Sequence, residues 1–154
     1  NNYFTGLFHD LPEALTRDII SPVKHSVKGL SALIKSYERE EMQEKVYPLL
    51  PEAWHPQLQL YTEDEFRSVV TLEGQTQYCS SDAITERFND DSYNPRDGEM
   101  IKAIDDFAAY MEAQLALDNG IASPELDRAR ESIHARYESA TIAGIDFGRL
   151  YAAE

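Results

Sequence analysis

Cysteine is almost missing from these 154 residues: Cys79 is the only one. One thiol can form no internal disulfide and cannot build a thiolate metal site, so a reducing compartment, the cytoplasm, is expected. No apolar run approaches the length needed to cross a bilayer, so no membrane partner is expected. The start, Asn1-Asn2-Tyr3-Phe4, lacks the basic and apolar regions of a secretory leader. Positive charge is also scarce. Fourteen Lys and Arg face 28 Asp and Glu, a net charge of −14. Such a chain repels phosphate backbones, which argues against nonspecific nucleic-acid binding. It does not exclude a small phosphorylated substrate, because a bound divalent cation reverses the charge at a site. Internal repeats and low-complexity linkers are absent as well.

What is present is the composition of a soluble globular protein, 42% hydrophobic and 27% charged. Tyr3/Leu7 and Phe4/Phe8 are four apart, so the chain opens inside a helix that should end near Phe8. Pro12 suits the first turn of a second helix, with Asp10 and Glu13 spaced as a capping box and an end before Ser21-Pro22. A long helix is expected over about 26–49, its apolar side made by Val27, Leu30, Leu33, Ile34, Tyr37, Met42 and Val46. A short helix should hold Trp54 and Leu58, and Thr62-Glu63-Asp64-Glu65 reads as another capped start. Residues 68–78 are the least helical, and Val69-Val70-Thr71-Leu72 with Gly74 predicts a small hairpin or an irregular excursion. Residues 89–98 form a loop. Helices over about 99–118 and 124–139, stopped and started by Asn119-Gly120 and Ser123-Pro124, precede a final short helix. The fold class is all-α.

The pair His9-Asp10 offers an imidazole nitrogen and a carboxylate oxygen to a hard or borderline divalent ion. The same residues also have a purely structural reading, with Asp10 as helix cap and Glu13 as its partner. The longer string His9-Asp10-Leu11-Pro12-Glu13-Ala14-Leu15-Thr16-Arg17-Asp18-Ile19-Ile20-Ser21-Pro22-Val23-Lys24 resembles the HD-domain metal-dependent phosphohydrolases. Its nearest branch is the one with the bacterial 5′-deoxynucleotidases. Downstream, Lys102-Ala103-Ile104-Asp105-Asp106-Phe107-Ala108-Ala109-Tyr110 is similar to the family's Lys-x-x-Asp helix that leads into an Ala-Tyr segment.

The resemblance implies an HD-domain-like helical bundle and a set of roles. His9, Asp10 and Asp105 would hold the metal, one of Mn, Co, Mg, Zn, Ni or Fe. Glu13 would serve acid–base work at the reacting phosphate. Asp18 would act beside it and contact a nucleotide sugar, and Lys24 would complement charge near the phosphate. The implied reaction is phosphomonoester hydrolysis, with a nucleoside 5′-monophosphate or a related small phosphate ester as substrate. The rivals are a nucleotide-binding or regulatory HD protein without turnover, and a helical protein-interaction module. The family signature also has an upstream metal-binding His that this sequence does not contain. The expectation is therefore a single HD domain over 1–154, its C-terminal portion, whose apolar face is covered by a missing N-terminal segment or by a second copy in a homo-oligomer.

A helical wheel over the downstream match puts Met100, Ile104, Phe107, Ala108, Met111 and Leu115 in one stripe. It predicts Asp105 at the stripe's edge and Asp106 in solvent.

Overall fold

The computed structural model describes residues 1–16, 28–121 and 123–152. The fold is all-α with, among the described residues, two small antiparallel hairpins, and it divides into two compact units. One consists of residue 1 and residues 3–65, the other of residue 2 and residues 66–154.

The first unit begins with helix Asn2–Phe8, as the apolar spacing predicts, and continues into helix Leu11–Thr16 with Pro12 buried in its first turn. The expected end of that second helix at Ser21-Pro22 lies outside the described residues. Helix Leu30–Glu41 starts after Gly29, whose φ of +86° only glycine adopts without strain. It widens into a π-turn at Met42–Val46 and tightens into a 3-10 turn at Tyr47–Leu49, where Pro51 ends the run. Met42, Tyr47 and Leu58 form the core, with Phe8, Leu11, Leu15, Val46 and Leu50 packed against it. His55 serves this core: its Nε2 lies 2.9 Å from the Tyr47 carbonyl and 3.3 Å from that of Leu50. Two expectations fail here. Thr62-Glu63 does not open a helix but closes helix His55–Glu63. Leu33 and Tyr37, assigned to an apolar contact side, are exposed.

In the second unit, strands β1 (Val69–Leu72) and β2 (Gln75–Tyr78) pair from Val69↔Tyr78 to Leu72↔Gln75. Glu73 and Gly74, both at positive φ, make a two-residue turn whose twist suits a hairpin. The 21-residue helix Gly98–Asp118 follows, capped by Asp97, whose Oδ1 accepts the Met100 N–H at 3.0 Å. Asp97 also accepts from the hydroxyls of Ser68 and Ser81, at 3.2 and 2.5 Å. Gly98 starts this helix because nothing larger fits. A Cβ there would sit 2.3 Å from the Phe66 carbonyl carbon and 2.4 Å from the Arg67 nitrogen.

Ser123 caps helix Pro124–Tyr137, which ends two residues before its expected end near 139. An unexpected second hairpin, β3 (Thr141–Ile142) with β4 (Ile145–Asp146), returns the chain. The closing helix Phe147–Tyr151 then docks as predicted. Ala103, Tyr110, Tyr137, Phe147 and Tyr151 are the buried core, joined by Phe107, Met111, Ile133, Ala140 and Ile142. Burial, followed by the nearby Tyr137 hydroxyl and Asp106, pushes the Tyr151 phenol up to about 12. Among the described residues no helix is long and apolar enough to cross a membrane.

Candidate functional site

His9 lies at the end of helix Asn2–Phe8, where its N–H still bonds the Thr5 carbonyl at 2.9 Å. Its ring folds back on the same helix. Nδ1 is 3.1 Å from the Gly6 carbonyl oxygen. A carbonyl only accepts, so Nδ1 carries the proton and the neutral ring keeps its lone pair on Nε2. That nitrogen lies 3.2 Å from Asp10 Oδ2, with His9 largely buried and Asp10 exposed. Anchoring the second ring nitrogen on a backbone carbonyl is how metal-ligating histidines are held in one tautomer. Ligand bonds of about 2.1 Å put neighbouring donors on one ion about 3.0–3.4 Å apart. The His9–Asp10 pair fits that spacing. The same distance also suits an ion pair if the ring is protonated.

Asp10 opens the next helix through its backbone. Its carbonyl accepts from the Glu13 and Ala14 amides, at 3.0 and 3.4 Å. Glu13 is half-buried on the first turn of helix Leu11–Thr16, three residues after Asp10. Asp18 and Lys24 lie outside the described residues.

Asp105 belongs to the second unit, half-buried on helix Gly98–Asp118, and its Oδ2 accepts from Lys102 Nζ at 3.0 Å. Its neighbour reverses an expectation. Asp106 is buried rather than solvated. Its Oδ1 accepts from Lys102 Nζ at 2.8 Å, and its Oδ2 from Arg136 Nη1 at 2.9 Å and the Tyr137 hydroxyl at 2.7 Å. The buried residues of the helix are Gly98, Ile101, Ala103, Asp106, Tyr110 and Ala113; of the expected stripe Phe107 and Met111 pack against the core, while Ile104 and Leu115 are exposed. The wheel weighed large apolar residues. The partner helix Pro124–Tyr137 brings Arg136 and Tyr137 to satisfy the buried charge. Burial pulls the Lys102 ammonium down, but its bonds to Asp106 and Asp105 outweigh this and raise it overall. Lys102 and Asp106 are the residues that sequence reasoning left without a role. Their i, i+4 spacing was the available signal.

Among the described residues, no group of three or more His, Cys, Asp or Glu side chains could hold a metal ion. A cavity of about 330 Å³ is lined by Tyr110, Arg130, Glu131 and His134, none of them a predicted site residue.

No curated protein and no solved structure matches the chain. A family model described as HD domain matches residues 2–134. That span takes in the His9-Asp10 turn, the first hairpin, the whole of helix Gly98–Asp118 and most of the next helix. The chain therefore belongs to the HD-domain family, whose members are typically metal-dependent phosphohydrolases.

Proposed function

We propose that this chain is a metal-dependent phosphomonoesterase acting on nucleoside 5′-monophosphates or a related small phosphate ester in the cytoplasm. In this reading the two units are parts of one HD domain over 1–154. The observation that carries it is the His9 ring. With Nδ1 tied to the Gly6 carbonyl, Nε2 is turned toward Asp10 Oδ2 at 3.2 Å, a spacing that one ion can bridge.

His9 and Asp10 would hold the ion, with Asp105 as a further ligand. A divalent ion supplies two things when bound: a water acidic enough to attack at neutral pH, and polarisation of a phosphoryl oxygen. The remaining work belongs to side chains. Glu13, one turn beyond Asp10, would hold or move a proton at the reacting phosphate. Asp18 would act beside it and bind the sugar, and Lys24 would offset phosphate charge. A net charge of −14 favours a small substrate over a nucleic-acid chain, whose many phosphates it would repel.

The test is phosphate release from a panel of nucleoside 5′-monophosphates, with Mn²⁺, Co²⁺ or Mg²⁺ added back after chelation. The expected result is metal-dependent turnover that His9→Ala, Asp10→Ala and Asp105→Ala each abolish. Glu13→Gln should lower kcat well beyond the effect of losing a helix-start contact, which costs only about 1 kcal/mol. Turnover that survives both chelation and His9→Ala would overturn the proposal.

A further inference from the structure

The cavity of about 330 Å³ in the second unit takes Tyr110 from helix Gly98–Asp118 and Arg130, Glu131 and His134 from helix Pro124–Tyr137. Two of these residues are aromatic rings with centroids 6.2 Å apart, and both pack on Tyr151, Tyr110 at 4.8 Å and His134 at 5.7 Å. Tyr110 is buried, yet its hydroxyl has no hydrogen-bond partner among the described residues. Arg130 is held by Gln114 Oε1 at 2.9 Å and by Asp127 Oδ1 at 3.5 Å, which leaves its buried Nε–H without a partner. Glu131 has no ionic or hydrogen-bond partner among the described residues either. Two opposite charges therefore line one cavity without neutralising each other, and polar groups so placed normally have partners.

We propose that this cavity binds a small zwitterion, an α-amino acid with an aromatic side chain. Its carboxylate accepts from Arg130 and the Tyr110 hydroxyl. Its ammonium meets Glu131, and its side chain packs on the Tyr110 and His134 rings. The charge pattern selects this class. A lone anion would meet the Glu131 carboxylate, and a lone cation the Arg130 guanidinium, whereas a ligand with both charges on neighbouring atoms answers both. The volume lies at the lower end of the about 300–1,000 Å³ common for ligand pockets, which suits an amino acid better than a nucleotide. The site shares no residue with the proposed phosphatase machinery and stands independently of it.

The experiment is calorimetric titration of the full chain with L-phenylalanine, 3-phenylpropionate and phenethylamine, with ¹H–¹⁵N spectra to locate each contact and melting curves for each variant. L-Phenylalanine should bind and shift amides around Tyr110, Arg130, Glu131 and His134. The other two probes each lack one charge, and each should bind at least about tenfold more weakly, since a charge-assisted bond is lost. Glu131→Gln lies at an exposed position and should keep the fold. It should cut the preference for L-phenylalanine over 3-phenylpropionate about tenfold. Arg130→Gln should do the same to the preference over phenethylamine, and Glu131→Gln answers the question even if Arg130→Gln melts. No binding of L-phenylalanine, amide shifts confined to other residues, or equally tight binding of either single-charge probe overturns the proposal. So does a preference that either variant, folded, leaves unchanged.

Discussion

The first unit gathers its core around Met42, Tyr47 and Leu58 and leaves Leu33, Tyr37, Leu49 and Trp54 exposed. The second packs Tyr110, Tyr137, Phe147 and Tyr151 together and threads polar bonds through the burial: Asp106 with three donors, Asp97 with two hydroxyls and a helix cap. Apolar packing alone tolerates many arrangements of similar volume, whereas hydrogen bonds to buried charge accept few. The turn that holds Asp106 therefore inherits its geometry from tertiary structure. The His9-Asp10 turn takes its geometry locally, from a helix end and one ring-to-carbonyl contact.

Glycines test this contrast with the largest expected effect. A Cβ at Gly98 would meet backbone atoms of Phe66 and Arg67 within 2.5 Å, and backbone cannot rotate away. Gly98→Ala should cost at least about 3 kcal/mol, the upper range for overpacking. Gly6, inside the first helix, has nothing within 4 Å of such a Cβ. Gly6→Ala should stabilise by about 0.5–1 kcal/mol, the ordinary helix-interior difference. Urea unfolding followed by circular dichroism measures both. Equal and small changes would mean that the second unit is no more constrained than the first.

Adjacent aspartates give the next effect. Asp106→Asn leaves the Tyr137 hydroxyl, Arg136 and Lys102 without their charged acceptor and should cost about 2–3 kcal/mol. Asp105→Asn removes a partly exposed ion pair and should cost under about 1 kcal/mol. If the two variants melt together, the polar network is not what stiffens this unit.

The sequence made the helices of both units legible because caps and stops are local chemistry. Ser123-Pro124, Asn119-Gly120 and the Glu73-Gly74 turn each act through their own backbone. The His9-Asp10 pair was legible for the same reason, since a dipeptide at a helix end meets itself. The phase of helix Gly98–Asp118 was not. Ala103 and Ala113 carry little hydrophobic weight yet are buried, and Asp106 is buried because Arg136 and Tyr137 arrive from 30 and 31 residues away. Thr62-Glu63 misled in the same direction. Its residues suit a helix start, but helix His55–Glu63 was already running, and the Thr62 hydroxyl bonds back to the Leu58 carbonyl at 3.0 Å.

The smallest effect belongs to the exposed side of the first unit. Leu33 is 67% exposed and sits in the first turn of helix Leu30–Glu41, which carries no acidic residue there. Replacing it with Glu loses little burial, because most of the side chain already meets water. The new carboxylate stands near the positive end of the helix, worth about 0.3–1 kcal/mol. Against this, Glu lacks whatever apolar contact the buried third of Leu33 makes, and it adds one more negative charge to a chain already at −14. The terms nearly cancel, so Leu33→Glu should change stability by no more than about 0.5 kcal/mol, the usual span for a surface site. Phe147, fully buried in the second unit, should cost about 3–5 kcal/mol on truncation to Ala. Thermal melts of the two variants side by side measure the gap. A loss above about 2 kcal/mol for Leu33→Glu would mean that this side chain is buried in solution, and the contrast between a sparsely and a densely bonded unit would then fail at its first residue.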